Sequence, residues 1–344
     1  MHSGKNRNLL YFKPWLVAFL VLITVGYANA FEVKVATILP DGSHWLREMR
    51  AGGEEIRMRT AGRVTFKFYP GGVMGNDAQI LRKVRIGQLH GGAFTATGLG
   101  TRYSGLNVYG IPLLFQSLGE VDYVRERMDA RLVADLEVAG FVSFGFTEGG
   151  FAQFMANEPI SRVEDMKRRK VWIPEGDQIS ALALAALGLS PVTLPPTDVL
   201  TGLQTGLIDV VAASPVATLV LQWHTKVKYI TELPIVYSIG IFAIEGRIFY
   251  RLSQEDQAIV RDVMTNTVNS LDKAAREDEE EARAVLKNTG INFVPVDSGD
   301  VIGWRHTIDA LYPKLQQRND IDAVVLEQVL GHLRNYRSVS TNTR

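Results

Sequence analysis

Short runs of alternating apolar and polar residues mark the first part of the chain, and this period of two predicts half-buried β-strands. Residues 31–39 form one such run and residues 64–69 another, each followed by a turn rich in glycine or proline. Residues 44–60 and 77–86 instead space their apolar positions three or four apart, as amphipathic helices do. The chain therefore begins as strand, helix, strand, helix, and a short strand at 89–95 follows.

The stretch from Lys170 to Asp209 continues this order as strand, helix, strand, helix, strand. It begins Lys-Val-Trp-Ile-Pro and ends Leu-Gln-Thr-Gly-Leu-Ile-Asp, with an Ala/Leu-rich helix after the first strand. Strands that alternate with helices pair in parallel at the centre of a sheet. The pattern predicts an α/β protein.

Two longer helices carry their own start signals. Ser117 and Glu120 form a capping box ahead of a regular apolar stripe, and Ser253 caps a helix that reaches about Lys287. The second helix has a charged middle at residues 276–281. Such a charge run is typical of a solvent-facing surface, so we expect no site there.

The N-terminus is typical of an export signal. Three basic residues precede the apolar segment 15–25, and Ala28-Asn29-Ala30 supplies the small-x-small pattern of a cleavage site. The apolar segment is shorter than the ~20 residues that a membrane-spanning helix needs. We therefore predict cleavage after Ala30 and a periplasmic protein; an uncleaved N-terminal anchor is the alternative. The chain contains no cysteine, which excludes disulfides and a lipoprotein anchor.

Charge and motif content narrow the classes of function. The 344 residues include 37 basic and 37 acidic ones, and removal of the signal peptide takes away three basic side chains, which leaves a net charge of −3. A mildly acidic protein is a poor partner for nucleic acid. The sequence lacks HExxH, GxSxG, Walker and intact GxGxxG motifs, and its six histidines show no metal-ligand spacing. We therefore expect no enzyme, no metal site and no cofactor.

Seven segments, in a fixed order, resemble those of the solute-binding proteins of TRAP (tripartite ATP-independent periplasmic) transporters, DctP type. Each segment alone is a weak signal, whereas their common order is specific. The resemblance covers nearly all of residues 31–315. The seven segments are Tyr69–Asn76, Ile111–Phe115, Glu148–Phe151, Asp165–Lys167, Lys170–Pro174, Leu203–Asp209 and Lys226–Tyr229.

The resemblance implies a two-lobe periplasmic solute-binding protein fold. Each lobe would hold a mixed, mostly parallel sheet flanked by helices, with hinge strands near 149–154 and 235–242 and the long Ser253 helix bracing both lobes. The expected division of the chain is a signal peptide at 1–30, lobe I at 31–150 plus about 239–272, lobe II at 151–238 plus about 273–330, and a disordered tail at 337–344.

Two positions depart from the family pattern. Most members hold a ligand carboxylate with arginines, and these positions are Trp172 and Ala152 here. An indole offers one N–H donor and an apolar face and cannot replace the paired bonds of a guanidinium. In one interpretation the ligand is neutral, cationic or largely apolar and stacks on Trp172. In a second, the ligand is an acid whose carboxylate is bound by His44, Arg102 or a bridging cation. In a third interpretation Trp172 packs in the core of its lobe.

What the resemblance implies for function is a receptor that binds a small organic solute between its lobes and delivers it to the small and large TRAP membrane subunits. The alternatives are a binding protein that serves a signalling partner and an exported enzyme that uses the cleft. The candidate ligand-binding residues are Trp172, Glu175, Ser214, His44, Trp45, Asn76, Thr95, Thr97, Phe151, Phe154 and Trp223.

Overall fold

The computed structural model describes residues 30–296 and 298–341. The predicted signal peptide lies outside the described residues except for Ala30. Within the described part of the chain, no helix has both the length and the apolar character needed to cross a bilayer.

Ten strands form the sheets within the part of the chain that the structure describes. They are β1 (Phe31–Ala36), β2 (Val64–Tyr69), β3 (Gly91–Thr95), β4 (Phe141–Ala156), β5 (Trp172–Pro174), β6 (Val192–Leu194), β7 (Val210–Ala213), β8 (Tyr229–Thr231), β9 (Val236–Glu245) and β10 (Asn292–Val294).

Thirteen α-helices surround these strands in the described residues. They are α1 (His44–Arg59), α2 (Asp77–Arg85), α3 (Ala96–Gly100), α4 (Leu118–Val138), α5 (Val163–Met166), α6 (Gln178–Ala186), α7 (Val199–Thr205), α8 (Pro215–Val220), α9 (Gly246–Phe249), α10 (Gln254–Asn288), α11 (Ser298–Asp309), α12 (Tyr312–Gln317) and α13 (Ala323–Thr341).

The helix starts follow the predicted caps. The side chains of Ser117 and Ser253 accept hydrogen bonds from the backbone N–H groups of Glu120 and Asp256, which begin α4 and α10. Asn76 begins α2 in the same way through Gln79. Each cap satisfies a backbone N–H that has no partner within its helix, so the short-range sequence signal fixes where the helix begins.

Two groups of strands meet along β4 and β9. The first group has the order β2-β1-β3-β9-β4, and the second joins β7, β8 and β10 to the end of β4; β5 and β6 form a separate parallel pair. The pairing is mixed, as predicted. The expected excess of parallel pairs is not found, because β4 and β9 run antiparallel to each of their neighbours.

The predicted hinge strands are these two long strands. β4 pairs with β9 from Phe141–Glu245 to Ala152–Val236, and its last residues pair instead with β7 and β8. The ladder is irregular between Glu148 and Gly150, where Gly150 has a φ of +75°. Because a side chain at such a φ is strained, glycine allows the strand to bend where it leaves one group of strands for the other.

Helix α10 braces both groups. Its 35 residues extend about 50 Å and pack on α1, on β4 and on α8. Its charged middle is only partly a solvent-facing surface: Glu280 and Glu281 are exposed, but Arg276 binds the carboxylate of Glu148 at 3.0 Å and Glu279 reaches α8. The prediction that this charge run is wholly solvated was therefore wrong.

The C-terminal segment differs from the expectation in two ways. Helix α13, which includes residues 323–330 of the expected second lobe, packs on α4 of the first group. Residues 337–341, expected to be disordered, continue this helix, and Arg337 binds the Glu120 carboxylate at 2.8 and 2.9 Å. Burial of the apolar face of α13 against α4 explains the order; residues 342–344 lie outside the described residues.

A buried charge cluster lies under the hinge strands. Arg125 of α4 binds Asp129 at 2.8 Å and Asp272 of α10 at 2.9 Å, and it donates to the carbonyl oxygen of Phe146 on β4. Asp272 in turn accepts the backbone N–H of Glu148 at 2.7 Å. One guanidinium therefore ties two helices to the hinge strand.

Replacing Arg125 by Met is expected to lower the free energy of unfolding by about 3 kcal/mol, because Asp129 and Asp272 then lie partly buried without their cation. Urea denaturation followed by circular dichroism measures the change. Arg127→Met on the same helix is the matched control, since Arg127 pairs with the exposed Glu126, and it should cost about 1 kcal/mol or less. Equal losses in the two variants would contradict a special role of Arg125.

Candidate functional site

Two adjoining cavities lie between the strand groups, at the carboxyl ends of β3 and β5. The inner cavity has a volume of about 190 Å³ and the outer one about 330 Å³. Thr97 and Asp177 line both cavities. Clefts at the carboxyl ends of strands are the usual ligand sites of α/β proteins. These cavities are therefore the candidate binding site.

The wall of the inner cavity is largely apolar. It is built by β9, by α6 and by α11, and no lysine, arginine or histidine occurs among the described residues that line it. Asp177 is the one charged side chain in this lining, and Thr95, Thr97, Ser180 and Ser238 are polar. Such a wall favours an apolar group.

The outer cavity is polar. Arg102, Ser104 and Asn107 approach it from one side and Gln178 from the other. The side-chain oxygen Oδ1 of Asn107 is buried and has no hydrogen-bond partner within the described chain, although the amide Nδ2 donates to the carbonyl oxygen of Asp320 at 2.8 Å. This oxygen is an acceptor for a donor that the protein does not supply.

Asp177 lies where the two cavities meet. Its Oδ1 accepts the backbone N–H of Ser180 at 3.0 Å and caps α6. Burial raises the pKa of Asp177, while the bonds from Ser180 and Ile179 oppose this shift. Sequence analysis missed this residue, although a capping aspartate directly after strand β5 is a signal for the carboxyl edge of a sheet.

The packing of Trp172 agrees with the third interpretation of the sequence, in which this side chain lies in the core of its lobe. Its indole N–H donates to the carbonyl oxygen of Leu194 at 2.9 Å, and its ring packs edge-on against Trp223 with centroids 5.2 Å apart. Only 5% of Trp172 is exposed, and it belongs to a different apolar cluster from its neighbours Val171 and Ile173. The residue borders the inner cavity, but its donor is already used.

The structure brings some predicted residues to the cleft. Thr95, Thr97 and Phe154 line the inner cavity together with Trp172. The side-chain amide of Asn76 donates to the carboxylate of Glu175, which joins α2 to the end of β5 outside the two cavities. Thr95 ends β3, Thr97 lies in α3 and Phe154 lies near the end of β4, and the Asn76–Glu175 bond links the two sides of the cleft.

The other predicted residues lie elsewhere, since none of them lines either cavity. His44 pairs with Asp278 at 2.9 Å, and Trp45 packs against Phe242. The Ser214 hydroxyl caps α8. Each side chain has a structural partner instead, and the same is true of Phe151, which packs on Tyr237, and Trp223, which packs on Trp172.

Other wall residues gave no sequence signal. Trp304 and Ile308 of α11 and Ile235 of the loop before β9 line the inner cavity, far along the chain from β3 and β5. Only the tertiary fold brings α11 onto α6.

Groups of three or more metal-ligating side chains do not occur among the residues that the structure describes.

A second close contact joins the two sides of the cleft at its rim. Gly72, in the turn after β2, has a φ of +71°, and a Cβ atom there would lie 2.6 Å from Cγ2 of Thr197. The turn thus approaches the segment before α7 as closely as a glycine permits. This contact lies on the same side of the hinge as the Asn76–Glu175 bond, so the turn after β2 and α2 face β5 and residues 196–198 directly.

Glu279 lies against the bend of the hinge strand. Its Oε2 accepts the backbone N–H of Val216 at 3.2 Å, and its carboxylate approaches Gly150. Burial is the main cause that raises the pKa of Glu279 to about 7; the bond from Val216 opposes the shift, and the Glu148 and Glu280 carboxylates add to it. The carboxyl group therefore changes its charge near neutral pH.

The geometry defines an α/β binding protein with a ligand cleft across two hinge strands. The sequence model of the DctP family, bacterial extracellular solute-binding protein family 7, matches residues 35–319. The chain therefore belongs to this family, and it is a solute receptor of the TRAP type. The resemblance on which the sequence analysis rested is confirmed.

Curated relatives and solved structures agree with this assignment. The protein YiiZ of Salmonella typhimurium is 23% identical over 309 residues, 86% of this chain and 88% of that protein. The C4-dicarboxylate-binding periplasmic protein DctP of Rhodobacter capsulatus is 21% identical over 263 residues, 75% of this chain and 78% of that protein.

Two crystal structures have the same fold. One is the TRAP periplasmic solute-binding protein of Xanthobacter autotrophicus with bound β-D-galacturonate, at a TM-score of 0.80, 20% identity and coverage of 88% of this chain and 99% of that one. The other is the sugar acid binding protein DctPAm of Advenella mimigardefordensis in complex with galactonate. Its TM-score is 0.81 and its sequence identity 19%, and the match covers 89% of this chain and 98% of that one. The predicted fold class is confirmed.

Glu279→Gln is expected to raise the melting temperature at pH 8 and to leave it nearly unchanged at pH 5. The folded-state pKa of about 7 lies above the ordinary 4.5, so the native protein holds an extra proton between these values. The free energy of unfolding therefore falls as the pH rises through this window, and the amide removes that loss. Thermal melts at pH 5, 6, 7 and 8 measure the effect.

The matched control is Glu281→Gln, because Glu281 is exposed on the same helix and does not contribute to the pKa shift of Glu279. Its melting temperature relative to the unmodified protein should not depend on pH in this window. A Glu279→Gln shift of the same size at pH 5 and at pH 8 would contradict the assigned pKa.

Proposed function

We propose that the protein binds one small organic solute in the two cavities, closes on hinge strands β4 and β9, and delivers the solute to the small and large subunits of a TRAP transporter. The observation that carries this proposal is the position of the cavities between two strand groups that the long strand β4 joins, since β4 pairs with β9 in the first group and with β7 and β8 in the second. A solute held there contacts both groups, so its binding energy favours the closed form.

The lobe division follows from the strand pairing. We assign residues 31–150 and about 239–272 to lobe I, and residues 151–238 and about 273–322 to lobe II. Helix α13 then returns to lobe I, since it packs on α4. In this arrangement Asn76 and Glu175 lie on opposite lobes, and their hydrogen bond forms only when the lobes approach.

The proposed role is binding without chemical turnover. A reaction needs an acid, base or nucleophile placed against the solute. Asp177 is the one carboxylate among the described residues of the inner wall, and its Oδ1 already caps α6; the Tyr237 hydroxyl there is bound by Arg125. This supports a receptor rather than an enzyme, and the membrane subunits and the periplasmic location follow from the family.

Export with cleavage after Ala30 predicts that the mature protein begins at Phe31. Strand β1 begins at the same residue, whose N–H bonds the carbonyl oxygen of Arg63 at 2.7 Å. Intact mass spectrometry of protein from the periplasmic fraction is expected to give the mass of residues 31–344. A mass that includes residues 1–30 would instead indicate an uncleaved anchor.

Native mass spectrometry of the periplasmic protein is expected to show one bound solute, which denaturation releases chemically unchanged. A strain that lacks the protein should fail to import that solute, and the protein supplied in trans should restore import only when both membrane subunits are present. Conversion of the solute by the purified protein would contradict the receptor role, and import without the membrane subunits would contradict the TRAP assignment.

Glu175→Ala removes the acceptor of the Asn76 bond and leaves the cap of α2 intact. Solute release from this variant should be roughly tenfold faster in stopped-flow measurements, since a charged hydrogen bond of the closed form is lost. Glu281→Ala, an exposed change on α10, is the control and should release the solute at the unmodified rate.

A further inference from the structure

The two cavities of the cleft differ in chemistry, and this difference indicates the class of solute. The inner cavity is bounded by aliphatic and aromatic side chains such as Leu184, Ile239 and Trp304. The outer cavity is bounded mainly by hydroxyl, amide and charged groups. A solute that fills both must therefore be apolar at one end and polar at the other.

The inner cavity has few free hydrogen-bonding groups. The Thr95 hydroxyl donates to Asp77 at 2.7 Å, accepts the backbone N–H of Gly98 and lies 3.2 Å from the Thr97 hydroxyl. The indole N–H of Trp172 is bound to Leu194, as described above. Thr97, Ser180 and Ser238 leave a few hydroxyl groups in this lining. A solute with several hydroxyl groups in this cavity would therefore lose more bonds to water than it regains, which costs free energy for each unpaired group.

A carboxylate is also excluded from the inner cavity. No basic side chain lines it within the described chain, and Trp172 and Ala152 form part of its wall. An unpaired carboxylate in such a wall is unfavourable, and the nearby Asp177 increases the cost when it is ionised. The sugar acids seen in the neighbouring structures do not fit this wall.

The outer cavity has the groups that the inner one lacks. Arg102 is the one basic side chain in either lining among the described residues, and the buried Oδ1 of Asn107 awaits a donor. Gln178 and Ser104 supply further donors and acceptors. A polar head group finds partners here, directly beside the apolar cavity.

We propose, on the basis of the receptor function above, that the solute is a small amphiphile whose apolar part fills the inner cavity and whose polar head lies in the outer one. The apolar part supplies most of the affinity, because its transfer from water is the dominant gain. The volume of about 190 Å³ limits the size of this part, and α6 and α11 contribute to the wall against which it would pack.

Isothermal titration of the mature protein with straight-chain monocarboxylates of four to ten carbons, and with the matched 1-alkylamines, tests this proposal. The affinity should rise about fourfold per methylene, as expected for a buried CH₂, up to a cut-off length. The heat capacity change of binding should be negative and grow with chain length. Galacturonate and succinate should not bind at millimolar concentration.

Two variants of α6 test the position of the apolar part. Ala183→Leu narrows the inner cavity and should shorten the cut-off, whereas Leu184→Ala widens it and should lengthen the cut-off. Ala186→Leu lies on the exposed face of the same helix and should leave the cut-off unchanged. Melting curves of each variant check the fold, and opposite shifts in the two cavity variants cannot arise from a loss of stability.

Affinities that are independent of chain length in both series, or cut-offs that none of the variants moves, would overturn the proposal. Binding of galacturonate in place of the amphiphiles would also overturn it and would leave the receptor function intact. By contrast, a protein that converts its bound solute, or that is not needed for any import, would contradict the receptor function itself.

Discussion

The antiparallel pairing of β4 with β9 is the constraint on which the rest of the structure depends. Strand β4 continues from this ladder into the second strand group, so the pairing fixes how the groups face each other and where the cleft lies. Arg125 and Asp272 hold α4 and α10 against this ladder with charged hydrogen bonds that water reaches poorly. The ladder is irregular at Gly150, which is where it can bend. The side chain of Glu279 on α10, whose pKa is raised, lies against this glycine.

The cleft shows how a shared fold accepts a changed chemistry. Strand β5 and the cap of α6 occupy the place at which an α/β protein presents its ligand groups, yet the side chains there are those of a packed interior. Trp172 does not substitute for an arginine, because its ring and its N–H serve the fold of its own lobe. Most of the polar side chains line the outer cavity, whereas the wall of the inner cavity is mainly apolar.

The sequence carried local information well and long-range information poorly. Helix caps such as Ser117 and Ser253 act on N–H groups three residues away, so their effect was predictable. The cleft walls depend on contacts such as α11 on α6, which no local pattern encodes. His44 and Trp45 look like ligand groups by residue type, but Asp278 and Phe242, distant in sequence, engage them. We predicted a disordered tail because residues 337–344 are mostly polar, whereas the apolar residues that bury α13 lie earlier in the same helix.

The return of α13 to α4 adds a fourth crossing of the chain between the proposed lobes, after those in β4, β9 and α10. After α11 has formed part of the inner wall, the chain passes through residues 318–322, and the carbonyl oxygen of Asp320 accepts a bond from Asn107 at the outer cavity. Arg337 then fastens α13 to Glu120. A rotation about β4 and β9 that separates the lobes must therefore displace this connection too. Because Asn319 and Asp320 of this connection also line the outer cavity, opening of the proposed lobes would move part of the wall of the site as well.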